Sequence, residues 1–338
     1  MVSFKIKNPY CISLFLTFRC NASCVNCCNG CRPDFGRTMT IGQMKQYVDI
    51  CLDAYPNSIT RLALTGGECF LLGDVLDEIV KYGTSKGLSV DVISNGYWGK
   101  SYKYALERIA RLKGLGLKAI TFSVGEDHQH LIPLKCCRNA IVACARVGYK
   151  VSVRIQDNKF SRNPTYKKLE KDAAFMRLVN NKSIELSFSD WQEYNNETIH
   201  RKGRAYRYRP YGESEPCKFI GNEIIISPYG DVMACCGIGL FRFPQIRLGN
   251  IEKEPIKEIY ERTFQDALKM WIRCSGSKAV LQYVYDKSEI TFHHWGTDCQ
   301  CCMEIFSNPE IIPFLRDTYD DWIHDVHHYN YDEKGEDK

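Results

Sequence analysis

The chain has 338 residues, a length for one large domain or two of unequal size. Its 44% hydrophobic and 25% charged residues are ordinary for a globular protein, and a formal net charge of +5 is too small to indicate nucleic acid by itself. No apolar stretch approaches the roughly 20 residues that span a bilayer, and eighteen cysteines without a secretory signal read as metal ligands or reactive thiols in a reducing cytoplasm rather than as disulfides.

In chain order, the apolar run CISLFLTF follows Lys5 and Lys7 but is short and has no small-residue cleavage site after it. It reads as a buried strand over Ile12–Phe18. The next element is a helix, MKQYVDICLDAY, opened by a capping box of Thr40 and Gln43. Strands follow at Arg61–Thr65, Val90–Ser94, Ala119–Ser123, Val151–Ile155 and Ile184–Ser187, with starts 29 to 33 residues apart. Each interval holds a helix and two loops, which is the spacing of βα repeats with a parallel sheet. One of these helices, CCRNAIVACARVG, stops at Gly148 and places Cys137, Ile141 and Cys144 on one core-facing stripe. The fold class is therefore α/β, a partial (βα)6 barrel covering residues 1–200.

From His200 to Pro216 the chain is polar, basic and rich in turn residues, as a linker would be. Beyond it lie two short strands, EIIISP and DVMACC, a helix PIKEIYERTFQDALKMWI and seven of the eighteen cysteines. These define a smaller second domain over 201–316, followed by a charged tail over 317–338.

Cys20, Cys24 and Cys27, spaced C-x3-C-x2-C after the first strand, can present three thiolates to three corners of a [4Fe-4S] cluster and leave one iron open. A zinc site completed by Cys28 or Cys31 fits the same loop. The end of the second strand separates the two readings: Gly66 and Gly67 let a ligand approach the backbone, and the Glu68 carboxylate can hold an ammonium group. Both motifs stand at the C-terminal ends of strands, where such barrels build their sites.

Together these residues resemble the radical S-adenosylmethionine (radical SAM) superfamily. The resemblance implies that Cys20, Cys24 and Cys27 bind the cluster, and that Gly66, Gly67 and Glu68 contact the amine of SAM. It also implies that reductive cleavage of SAM yields a 5′-deoxyadenosyl radical. Ser94 and Asn95 in ISNG, Ser123 in FSVGE and Arg154 in VRIQ are the further SAM contacts it suggests, to ribose or carboxylate. Cys28 and Cys31 are then surplus beside the cluster, with Cys31 an alternative ligand. Cys69 is a buried thiol or one near the radical.

The stretch from Cys217 resembles the C-terminal extension called SPASM, or in shorter form twitch: twelve residues separate Cys217 from Gly230, and four separate Gly230 from Cys235. Cys299 and Cys302, with Cys301 the alternative to Cys299, complete four thiolates for one auxiliary [4Fe-4S] cluster, a structural zinc being the rival occupant. Cys236 lies outside the ligand pattern. It is either a buried small side chain or, as in radical SAM peptide epimerases, a thiol that donates a hydrogen atom. RKGRAYRYR reads as a solvated face or a groove for an acidic peptide, EDHQH as lining for a substrate pocket, and HDVHHY as an exposed helix end.

The expectation is a radical SAM enzyme acting on a ribosomally made peptide, with epimerisation the favoured chemistry. It uses two clusters and SAM, and a reducing partner such as flavodoxin or ferredoxin. Chemistry on a small natural-product precursor is the rival within the class. An iron-sulfur carrier that never cleaves SAM is the rival outside it.

Overall fold

The structure is a computed structural model that describes residues 4–24, 26–157, 164–190, 213–237, 239, 241–292 and 297–332. The chain divides into two units: Cys11–Trp191 with Ile226–Tyr229, and Met1–Tyr10 with Gln192–Ile225 and Gly230–Lys338. The basic stretch RKGRAYRYR lies outside the described residues.

In the first unit six strands, β1 (Cys11–Phe15), β2 (Arg61–Thr65), β3 (Ser89–Ser94), β4 (Leu117–Val124), β5 (Val151–Asp157) and β6 (Ile184–Asp190), lie side by side in sequence order. Every pair is parallel. Parallel neighbours need a crossover, and the helices α1 (Ile41–Ala54), α2 (Asp74–Ser85), α3 (Tyr102–Gly114), α4 (Glu126–Gln129), α5 (Leu134–Arg146), α6 (Pro164–Glu170) and α7 (Ala173–Asn180) supply it. This is the partial barrel expected.

Local chemistry explains the helices. Thr40 caps α1 with the full capping box, and Met44, Tyr47, Val48 and Cys51 form its buried stripe at 3.6-residue spacing. Cys137, Ile141 and Cys144 of α5 are fully buried. The first strand ends at Phe15, short of Phe18: Leu16 N–H makes the last bond to β2, at Thr65 O (2.7 Å), and Phe18 N–H turns instead to Arg37 O at 3.1 Å.

The second unit carries β7 (Glu223–Ile226), β8 (Asp231–Met233) and β9 (Arg247–Asn250), with β8 and β9 antiparallel. Gly230, at φ +78°, makes the turn before β8 and accepts from Ile251 N–H at 2.8 Å. The helix expected over 255–272 is two, α8 (Ile256–Glu261) and α9 (Ala267–Ser275), joined by a 3-10 turn. Asp266 breaks it: extended at φ −97°, its carboxylate accepts from Lys269 N–H as the cap of α9.

Four helices follow: α10 (Ser277–Lys287), α11 (Asp298–Ser307), α12 (Ile311–Asp317) and α13 (Tyr319–Asp332). Residues 319–332, read from the sequence as part of a charged tail, are thus helical. Trp322, Ile323 and Val326 are buried, and Trp322 stacks on Trp271 with ring centroids 4.6 Å apart. No helix among the described residues is long and apolar enough to cross a membrane.

Candidate functional site

The first site grows from the ends of β1, β2 and β3. After β2 the backbone continues alongside the segment leading to Cys20: Gly67 N–H donates to Thr17 O at 2.7 Å, and Glu68 N–H to Arg19 O at 3.0 Å. A Cβ on Gly66 would lie 2.7 Å from Thr17 O, and one on Gly67 only 2.1 Å from Arg19 O and 3.1 Å from Cys20 Cβ. The glycine pair is therefore required by the chain's own backbone, which approaches it as closely as a ligand would. Its consequence is to lock the cysteine loop to the second strand.

Glu68 is fully buried. Its Oε1 accepts from Phe70 N–H at 3.1 Å and from Ser94 Oγ at 2.9 Å, and its Oε2 from Asn95 N–H at 2.7 Å. Burial pushes this carboxyl up to about 7, against the three hydrogen bonds that favour the carboxylate. Oε2 keeps one acceptor position for a further donor.

Ser94 does not fit the direct ligand contact expected of it. Its hydroxyl donates to Glu68 and accepts from Gly96 N–H and Trp98 Nε1, both at 3.0 Å, which uses its whole capacity. Asn95 faces the cysteines: its Nδ2 donates to Cys20 Sγ at 3.7 Å and to Asn21 Oδ1 at 3.0 Å. Asn21 and Trp98, stacked on Phe70 at 4.5 Å, belong to this network and were not singled out from the sequence. Only their nearness to Cys20 and Ser94 along the chain hinted at them.

The three thiols sense one another. Burial pushes Cys20 up to about 11, with Glu68 and Cys27 adding to it, and pushes Cys24 up to about 12, reinforced by Cys27, Cys20 and Asp127. Cys27 is lowered to about 6, first by the hydrogen bond from Cys31. Its sulfur also accepts from Cys31 N–H at 3.3 Å. Cys31 thus supports Cys27. Among the described residues no three His, Cys, Asp or Glu side chains converge as on a single metal ion. The set of soft thiols at this loop nevertheless suits iron-sulfur chemistry.

Ser123 and Arg154 are register partners on β4 and β5, on the opposite face from buried Phe122, Val124, Val153 and Ile155. Arg154 is exposed. In EDHQH, the Asp127 carboxylate acts on Cys24, and His128 Nδ1 is buried without a partner, its imidazole pKa lowered by that burial. HDVHHY falls in α13, and its side chains from His327 onward lie outside the described residues.

The second unit gathers Cys217, Cys235, Cys299 and Cys302. Cys235 is pushed up to about 12 by burial, with Cys217 and Cys299 adding to it, and Cys302 is raised by burial and by Cys235, Cys299 and Cys217. A Cβ on Gly237 would meet Cys235 Sγ at 3.3 Å and Cys299 Sγ at 3.8 Å. Four thiols without an oxygen or imidazole ligand fit an iron-sulfur centre. Cys299 and Cys302 share a face of α11, whereas Cys301 is buried. Cys236 is exposed as a residue, its thiol donates to Glu223 Oε1 at 3.6 Å, and burial of the sulfur raises its pKa.

Residues 14–135 match the model of the Radical SAM superfamily, and residues 217–282 match the SPASM model, described as an iron-sulfur cluster-binding domain. The chain therefore carries a radical SAM domain followed by a SPASM domain, and its cofactors are a [4Fe-4S] cluster with SAM and auxiliary iron-sulfur. It is 22% identical over 323 residues to YydG of Bacillus subtilis (strain 168), named a peptide biosynthesis protein, covering 92% of this chain and 97% of that one. Among solved structures it is similar to BtrN in complex with AdoMet and 2-DOIA, with a TM-score of 0.46, 14% identity and coverage of 80% of this chain and 89% of that one. SuiB of Streptococcus suis matches at 0.45 with 11% identity, covering 83% and 75% of the two chains.

Proposed function

We propose that the protein is a radical SAM peptide maturase that inverts a residue of a ribosomally made peptide. The observation that carries the reading is the Cys20–Asn95–Glu68 network, which ties the three-thiol loop to a carboxylate with one acceptor position left for an ammonium group. Cys20, Cys24 and Cys27 would hold the cluster, which with SAM would supply the radical chemistry that removes a hydrogen atom from the peptide.

Around them Gly66, Gly67 and Glu68 receive the SAM amine, Arg154 pairs with its carboxylate and Ser123 meets the ribose, while Ser94 and Asn95 hold Glu68 and Cys20 in place. Cys217, Cys235, Cys299 and Cys302 hold one auxiliary cluster. The likeness to YydG along nearly the whole of both chains supports a peptide substrate.

Exposed Cys236, next to a ligand but outside the ligand set, supports epimerisation. Its S–H gives a hydrogen atom to the peptide carbon radical. The sulfur radical left behind regains one electron from the low-potential reductant and one proton from water.

The test is turnover in D2O with a candidate substrate peptide, drawn from any short open reading frame beside the gene. Wild-type enzyme is expected to place solvent deuterium on the inverted carbon. Cys236→Ala is expected to keep its iron and cleave SAM yet yield no such product. Wild-type-like product from Cys236→Ala would remove the donor role.

A further inference from the structure

The segment around the first cluster carries three arginines and a single acidic residue, Asp34, between Arg19 and Met39. Its backbone is tightly organised. Arg19 and Arg32 form a parallel bridge and Thr17 and Thr38 an antiparallel one, while Cys20 N–H donates to Arg32 O at 3.3 Å. These contacts place Arg19, Arg32 and Arg37 beside one another on the outer side of the loop, and all three are exposed.

None of the three has a carboxylate within ion-pair distance among the described residues, whereas Arg61, Arg108 and Arg138 elsewhere in the unit are each paired with an aspartate. The guanidinium of Arg32 instead lies 4.5 Å over the ring of Phe35, itself 39% exposed. Arg19 and Arg37 line a cavity of about 730 Å³ whose walls include Cys20 and Leu71, the latter 42% exposed. Unpaired cations around exposed apolar side chains make a poor resting surface for a monomer and a good one for an acidic protein.

The same cavity wall that offers this charge is a proposed cluster ligand. We propose that Arg19, Arg32 and Arg37, with Phe35 beside Arg32 and Leu71 in the cavity that Arg19 and Arg37 line, are the docking face for an acidic one-electron carrier of the flavodoxin kind. The inference rests on the first site holding a reducible cluster. One electron passes from the reduced carrier to the cluster, and no bond is made or broken. Charge complementarity sets the encounter rate, so reduction by the carrier is fast at low salt and slows as salt screens it.

The experiment uses the anaerobically reconstituted full chain and follows bleaching of the cluster absorbance with two donors. One is flavodoxin kept reduced by NADPH and flavodoxin reductase; the other is dithionite, which needs no docking face. The double variant Arg32→Glu/Arg37→Glu leaves the backbone bonds intact. It is expected to slow reduction by flavodoxin at least about tenfold, to lose the attractive salt dependence, and to slow dithionite, a small anion with no docking face, far less. Arg32→Lys/Arg37→Lys, which keeps the charge, is expected to retain most of the flavodoxin rate.

An unchanged flavodoxin rate in the glutamate variant, equal slowing with both donors, or a lysine variant as slow as the glutamate one would overturn the docking face. Failure of the wild type to cleave SAM with dithionite, while its cluster still bleaches with flavodoxin, would overturn the functional reading and leave the docking face standing.

Discussion

Replacing Cys20, Cys24 and Cys27 together by alanine is expected to lower the iron content of the reconstituted protein from about eight to about four per chain and to abolish SAM cleavage. Cys20 and Cys24 each feel the charge of Cys27, and Cys20 that of Glu68 as well, which supports the proposal that the three thiols serve one centre. The four thiols of the second unit lie in a separate part of the chain and are expected to keep their own iron. Iron and sulfide analysis with anaerobic absorbance spectra reads both effects. Loss of all iron from the triple variant would contradict independent centres, and tightly held zinc in place of the remaining iron would contradict the auxiliary cluster.

The second large effect is expected at Glu68. Glu68→Ala strands the N–H groups of Phe70 and Asn95, which are buried and have the carboxylate as acceptor, at about 1 to 3 kcal/mol for each. It also removes the charge proposed to hold the SAM ammonium, a charge-assisted contact of about 1.5 to 3 kcal/mol, or roughly 10- to 100-fold in affinity. Glu68→Gln separates the two. One oxygen still accepts, so stability recovers in part, whereas affinity stays low because the charge is gone. Urea unfolding and equilibrium dialysis with SAM measure the pair, and an unchanged SAM affinity in both variants would remove Glu68 from the binding site.

Much of the fold was legible because each βα unit repeats the same punctuation. Arg61–Thr65 has the same limits in the structure as in the sequence reading, and the box of Thr40 and Gln43 forms as its spacing implies. The misreadings have local causes. In the expected helix over 255–272 the periodicity carried the reading past Asp266, a residue that caps more readily than it propagates. The charges around Trp322, Ile323 and Val326 masked an apolar stripe that only Trp271, some fifty residues earlier, gives a reason to bury.

At the site, the cysteines and the glycine pair stood out in the sequence only when taken together at two strand ends, and their wiring did not show at all. Asn95 reaches Cys20 across 75 positions, and nothing near Ser94 in sequence shows that its hydroxyl is consumed by Glu68 and Trp98. The glycines were assigned room for a ligand; on the side a Cβ would take, that room is filled by the backbone of Thr17 and Arg19. Such contacts appear only when strand ends from distant segments meet.

The central claim, that this chain opens SAM by one-electron reduction, is tested most directly by anaerobic incubation of the reconstituted protein with SAM and dithionite, with 5′-deoxyadenosine and methionine quantified by mass spectrometry. The account predicts both products in equal amounts from the wild type and neither from the Cys20, Cys24 and Cys27 triple variant. A wild-type protein with its full iron content that forms no 5′-deoxyadenosine would contradict the account and leave an iron-sulfur carrier in its place.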